Sequence, residues 1–141
     1  MINLDQLLYL KTKPTLEANT ECVFQTYSID LPAASNKIIK YLLKQYNLDL
    51  HHQVSLTKRF LNINKLVPLY FSQSLILFPI KHKRAPLQIY INAYQITGLS
   101  SKGSQTIIYF TNQKYIFVDE NYIFIYKKWL EALSLKSFYK V

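Results

Sequence analysis

From Leu50 to Val118 the chain runs 69 residues without one Asp or Glu. A triad needs a nucleophile, a base and an orienting acid, and this central segment has no acid to give. Glycine is almost absent. Gly98 and Gly103 are the only two, so there is no glycine-rich loop to cradle phosphates. Cysteine occurs once, as Cys22; it cannot form an internal disulfide, which points to a reducing compartment. Long apolar runs are also missing. The longest, Val67 to Ile80, is broken by Ser72, Gln73 and Ser74, is too short to span a bilayer and reads as two strands. No basic stretch followed by an apolar one opens the chain as in a signal peptide. His51, His52 and His82 show no metal-ligand spacing. The expectation is a cytoplasmic protein that is not an enzyme, with no metal and no cofactor.

What fills the acid-free segment is positive charge. It holds Lys58, Arg59, Lys65, Lys81, Lys83, Arg84, Lys102 and Lys114. The first 49 residues balance five Lys against five acids, and residues 119–141 carry four Lys and three acids. Nearly all of the net charge of +9 therefore sits in one block. A mixed surface would only keep the protein soluble. A one-sign block builds a positive potential whose natural partner is a polyanion, either nucleic acid or an anionic membrane surface.

The length of 141 residues fits one domain, residues 1–141, with a sizeable core. Twelve Tyr and eight Phe favour sheet. Leu7–Leu10 and Cys22–Ile29 read as strands, punctuated by Lys13-Pro14 and Leu31-Pro32. Ser35 or Asn36 caps a helix to about Tyr46, with Ile38, Ile39, Leu42, Leu43 and Tyr46 at helical spacing. Leu48–Asn64 fits either a short helix or a strand. Leu66–Phe71 and Leu75–Pro79 read as paired strands. Leu87–Thr97 alternates most cleanly, with Leu87, Ile89, Ile91 and Ala93 opposite Gln88, Tyr90, Asn92 and Tyr94. Residues 98–104 read as a loop, and Thr106–Phe110 with Tyr115–Val118 as a hairpin about Asn112-Gln113. A closing amphipathic helix starts near Asn121, with Asp119 and Glu120 at its N-terminus and an apolar stripe of Tyr122, Tyr126, Trp129, Leu130 and Leu133. The class is α+β: a mainly antiparallel sheet, one internal helix and a C-terminal amphipathic helix, analogous to a pleckstrin-homology-like half barrel.

Lys81-His82-Lys83-Arg84 is the densest basic cluster, bounded by Pro79 and Pro86. It reads as a loop held on two strands that presents cations to phosphates or inserts Arg84 into a minor groove. Such a loop also serves simply to blunt a sheet edge. Lys58-Arg59 with Lys65 form a second group, and Lys102 with Lys114 a third. Tyr90, Asn92 and Tyr94 are candidates for stacking on bases, or one half-buried face of a sheet. The best helices are separated by sheet, which disfavours a helix-turn-helix and favours a strand-and-loop reader.

In order along the chain come Lys65-x-x-Pro68, a strand ending Leu77-Phe78-Pro79, the basic loop, a strand, Ile108-x-Phe110-x-Asn112, and an aromatic helix around Trp129-Leu130. This set resembles the competence transcription factor ComK family of Gram-positive bacteria, over roughly residues 55–133. The resemblance implies an activator of DNA-uptake genes that binds paired A/T-rich boxes on double-stranded DNA, chiefly through the minor groove, as a homo-oligomer. It also implies RNA polymerase and a protease adaptor as partners, no membrane, and a place on the nucleoid. The alternative is a pleckstrin-homology-like module that binds anionic lipid or a protein partner through the same loop.

Overall fold

The computed structural model describes residues 3–14, 19–82 and 84–139. It is α+β, with two antiparallel sheets and three helices. The first sheet contains β1 (Leu7–Lys13), β2 (Asn19–Phe24), β3 (Ser28–Leu31), β4 (Leu69–Ser72), β5 (Leu75–Pro79) and β6 (Ile89–Asn92), in the order β3-β2-β1-β6-β5-β4. The second holds β7 (Ile96–Lys102), β8 (Gln105–Phe110) and β9 (Tyr115–Val118) in sequence order. Neither sheet closes into a barrel. Helix α1 (Ser35–Gln45) is followed directly by α2 (Leu50–Leu61), and α3 (Tyr122–Phe138) closes the fold.

The six-stranded sheet is covered on both faces. Leu75 and Leu77 join Leu7, Leu10, Cys22 and Phe24 in one core beneath α1, where Ile39, Leu42 and Leu43 pack. Ile76, Phe78 and Ile80 point the other way, into a second core with Ile108, Phe110, Ile125, Ala132 and Leu135 of the small sheet and α3. Both parities of β5 are buried, so its sequence is apolar throughout instead of alternating.

Leu48–Asn64, ambiguous in sequence, is mostly α2. Asp49 caps it by accepting from the His52 N–H at 2.9 Å. Asn62 ends it in the left-handed region, at φ 54°. Its inward residues include the polar Gln53 and Thr57, which is why no apolar stripe announced it. Thr57 bonds the Tyr139 hydroxyl at 3.0 Å. Phe60 on Phe138 and Tyr70 on Tyr139 stack at 4.6 and 4.8 Å, joining α2 and β4 to the end of α3. There are thus two internal helices, not one, and the strand expected from Leu66 begins at Leu69 because Leu66 is itself left-handed at φ 54°.

Other boundaries also move. The expected strand Cys22–Ile29 is a hairpin, with Phe24 stacked on Tyr27 across its turn. The expected strand Leu87–Thr97 breaks after Asn92, where a 3-10 turn (Ala93–Gln95) carries the chain into the second sheet. Most of the expected loop at 98–104 is β7, and only the turn at Gly103, φ 61°, reverses the chain. The inward stripe of α3 is Ile125, Lys128, Ala132 and Leu135, with Trp129 and Leu133 beside it. Tyr126 and Leu130 face solvent. Lys128 masks the true phase, because it lies in the inward stripe with its ammonium held by Glu131 at 2.9 Å.

Burial pushes the Cys22 thiol up to about 11, with Glu21 and Asp30 adding to the effect. Burial likewise raises the phenols of Tyr9 and Tyr90, Glu21 assisting at Tyr9. These groups keep their protons in the folded chain at pH values where the unfolded chain loses them. Their stabilisation is whole below the unfolded values and is lost as pH climbs through the folded ones. Thermal midpoints are therefore expected to fall from about pH 9 to about pH 11. A midpoint that stays level to the top of that range contradicts this.

Candidate nucleic-acid interface

The β5–β6 connection is a built loop. Ile80 anchors its start in the core. The His82 carbonyl accepts from the Ala85 N–H and from the Gln88 side-chain amide, both at 2.8 Å. The same amide donates to the Ala85 carbonyl at 2.7 Å. His82 Nδ1 accepts from the Arg84 N–H at 3.2 Å. Gln88 is tied back to β1, its N–H donating to Thr12 Oγ1 at 3.0 Å. Arg84 stands exposed on this scaffold. Lys83 lies outside the described residues. Lys81 is paired with Glu120, whose carbonyl in turn accepts from Thr106 Oγ1 at 2.7 Å.

Register places the other cations. Leu69 faces Leu77 in the antiparallel β4–β5 pair, so the connection before β4 leaves the sheet at the same end as the loop after β5. That connection carries exposed Lys65 and follows directly from the exposed Lys58 and Arg59 at the end of α2. The Lys81–Glu120 pair and the Thr106 bond bring the β7–β8 turn to this end too, because Thr106 faces Ser101 and Gln105 faces Lys102. Lys58, Arg59, Lys65, Lys81, Arg84 and Lys102 thus share one end of the molecule. Lys114 does not. It sits in the β8–β9 turn, where Asn112 accepts from its N–H at 3.1 Å and donates to the Gln25 carbonyl at 2.7 Å. That is the opposite end of β8.

Lys11 and Lys13 also approach the cationic end but meet Glu21 at 3.8 Å and Asp30 at 2.8 Å. Among the described residues, Lys58, Arg59, Lys65, Arg84 and Lys102 have no carboxylate in ion-pair reach. The central block owes this to its composition; Glu120, the one acid among the described residues that pairs with it, comes from just outside.

The candidate stacking row is not a platform. Asn92 is fully buried and Tyr90 packs against the core under α1; only Tyr94 is open, with the Lys136 ammonium over its ring at 4.9 Å. The face fails because the sheet that carries it is covered on both sides. Sequence reasoning also missed the Glu120 counter-charge, the Gln88 clasp and the consecutive pair α1–α2. The clasp has no sequence signal. The helix pair had one, in Asp49 as a cap three residues before His52.

The model of the ComK protein family matches residues 5–140. The chain belongs to the ComK family. The match extends past residues 55–133 almost to both ends. No curated protein and no solved structure matches. ComK membership suggests a competence transcription factor, a class of regulators and not of enzymes. No helix among the described residues is long and apolar enough to cross a membrane.

Proposed function

We propose that this chain is a sequence-specific DNA-binding activator of competence genes, reading A/T-rich boxes through the minor groove with two or more protomers on paired boxes. The observation that carries it is the cluster of unpaired cations at one end of the fold. Polyanion binding needs several point charges presented together, and loops on a rigid sheet hold them without ordering cost at the moment of binding. Narrow A/T minor grooves carry strong negative potential, which suits an exposed guanidinium such as Arg84. The domain covers only part of a paired site, so at least two copies per paired site are expected. RNA polymerase, a protease adaptor and a place on the nucleoid come with this reading as partners and location.

One observation favours a second mode of reading. The α1–α2 pair is joined by a short turn around left-handed Asn47, and α2 exposes His51, His52, Ser55, Lys58 and Arg59. Such a helix could enter a major groove. Base analogues separate the two. An inosine–cytosine pair keeps the minor-groove pattern of A·T but the major-groove pattern of G·C. Fluorescence anisotropy on duplexes with A·T, I·C or G·C boxes is the test. Tight, salt-sensitive binding to both A·T and I·C, and weak binding to G·C, is expected. Loss of binding on I·C moves the reading to the major groove. Equal affinity for all three removes sequence specificity. Binding only to anionic vesicles, with none to duplex at low salt, replaces DNA by a membrane surface.

A further inference from the structure

The aromatic platform absent from the large sheet is present on the small one. Thr106, Ile108, Phe110 and Val118 turn inward, so the alternate residues of β8 and β9 face solvent. They include Tyr109, Tyr115 and Phe117, which are 37%, 57% and 48% exposed. The rings form one cluster. Tyr109 and Tyr115, cross-strand partners, lie 6.1 Å apart, and Tyr115 and Phe117 5.8 Å apart. Ser100 on β7 bonds the Tyr109 hydroxyl at 3.1 Å. Gly98, opposite Tyr109, leaves open space where a side chain would stand.

Three aromatic rings on a solvated sheet face are a cost to a soluble domain unless something covers them. Charge says what. The Lys102 ammonium lies 5.1 Å from the Phe117 ring centroid at one end of the face. Lys114 marks the other end. The strand between them, β8, runs six residues, about 20 Å. The three strands contain no acid; Asp119, just past β9, is the nearest in sequence. A protein partner's apolar patch would use the rings and leave both ammonium groups unanswered. A strand of bases on a phosphate backbone uses both: π-faces stack on rings while phosphates meet lysines.

We propose that the outer face of the β7–β9 sheet binds single-stranded DNA, stacking bases on Tyr109, Tyr115 and Phe117 with Lys102 and Lys114 on the backbone. The choice of DNA over RNA rests on the duplex reading above. The surface itself is separate from the loop that carries Arg84, and it explains Lys114, which the cationic end leaves aside.

The probe is a fluorescein-labelled oligothymidylate of about twelve nucleotides, read by anisotropy beside an A/T-rich duplex. Tyr115→Ala and Phe117→Ala are each expected to weaken oligothymidylate binding roughly tenfold and to leave duplex binding unchanged. Tyr115→Leu keeps apolar bulk and loses the ring, so it is expected to weaken strand binding as well; circular dichroism checks each fold. Absent strand binding, or strand binding indifferent to the rings, overturns the proposal. So does sedimentation showing that the ring variants lose self-association, which makes the face a contact between copies. Tighter binding of oligouridylate overturns the choice of DNA. Ring-dependent strand binding without any duplex binding would instead sink the duplex reading, upholding the single-strand face and leaving DNA against RNA to the oligouridylate comparison.

Discussion

Replacing Arg59, Lys65 and Arg84 together by Ala is expected to lower affinity for an A/T-rich duplex roughly 10³-fold at about 50 mM salt and roughly 20-fold at about 200 mM. Each of the three is exposed at the same end of the fold, with no carboxylate partner among the described residues. Each phosphate met by a cation releases about one counterion, so log affinity should fall less steeply with log salt by about three units. The members differ. Arg84→Ala alone should lose preference for A/T-rich sequence, at about 1–3 kcal/mol on good sites, because a planar guanidinium on a braced loop can be aimed into a groove. Lys58→Ala should weaken all duplexes alike and flatten the salt slope by about one unit. Lys114→Ala, at the far end, should change duplex binding little. Glu120→Gln works in the opposite direction. It releases Lys81 to reach phosphate, so affinity should rise and the slope steepen by about one unit. Anisotropy titrations at several salt concentrations decide this. A folded triple variant that binds like its parent removes the cationic end from the interface.

The acid-free block was legible in sequence because charge sign needs no fold to be counted. The end at which its members gather was not. It depends on the β4–β5 register and on the Lys81–Glu120 pair, whose two residues are 39 positions apart. Lys102 and Lys114 form one group in sequence order, yet they flank opposite ends of β8. The local apolar pattern made β5, as a continuous apolar run, and the β8–β9 hairpin legible, since it agrees with burial there. It failed where tertiary context overrode the pattern. Asn92 alternates with apolar residues as a surface residue would, but it sits where the chain passes from one sheet to the other. On α2 and α3 the inward faces carry the polar Gln53, Thr57 and Lys128; Thr57 meets Tyr139, 82 positions away, and Lys128 meets Glu131, one helical turn on.

Asn92→Ala is expected to lower the thermal midpoint by roughly 10 °C, corresponding to about 3 kcal/mol. Asn92 is fully buried, and its side chain makes four bonds. Its amide donates to the Leu7 carbonyl at 2.8 Å and the Ser74 carbonyl at 3.0 Å. Its carbonyl accepts from the Ile76 N–H at 3.1 Å and the Tyr94 N–H at 3.2 Å. One side chain therefore ties β1, the β4–β5 turn, β5 and the 3-10 turn that leads into the second sheet. Truncation strands four backbone groups, and water has no ready route to the two that are buried, the Leu7 carbonyl and the Ile76 N–H. Asn92→Asp tests the same geometry through pH. A carboxylate can still accept both N–H groups, but it turns an anionic oxygen toward two carbonyls that need a donor. Protonation restores one donor, so the introduced acid should titrate above the ordinary carboxylate range. Its folded value being raised, the Asp variant holds its stability best below the unfolded value near 4 and loses it as pH rises. The deficit against the parent protein should thus be larger at pH 7 than at pH 5. An Asp variant as stable as the parent at pH 7, or an Ala variant within a degree or two of it, would show that Asn92 does not hold the two sheets in register.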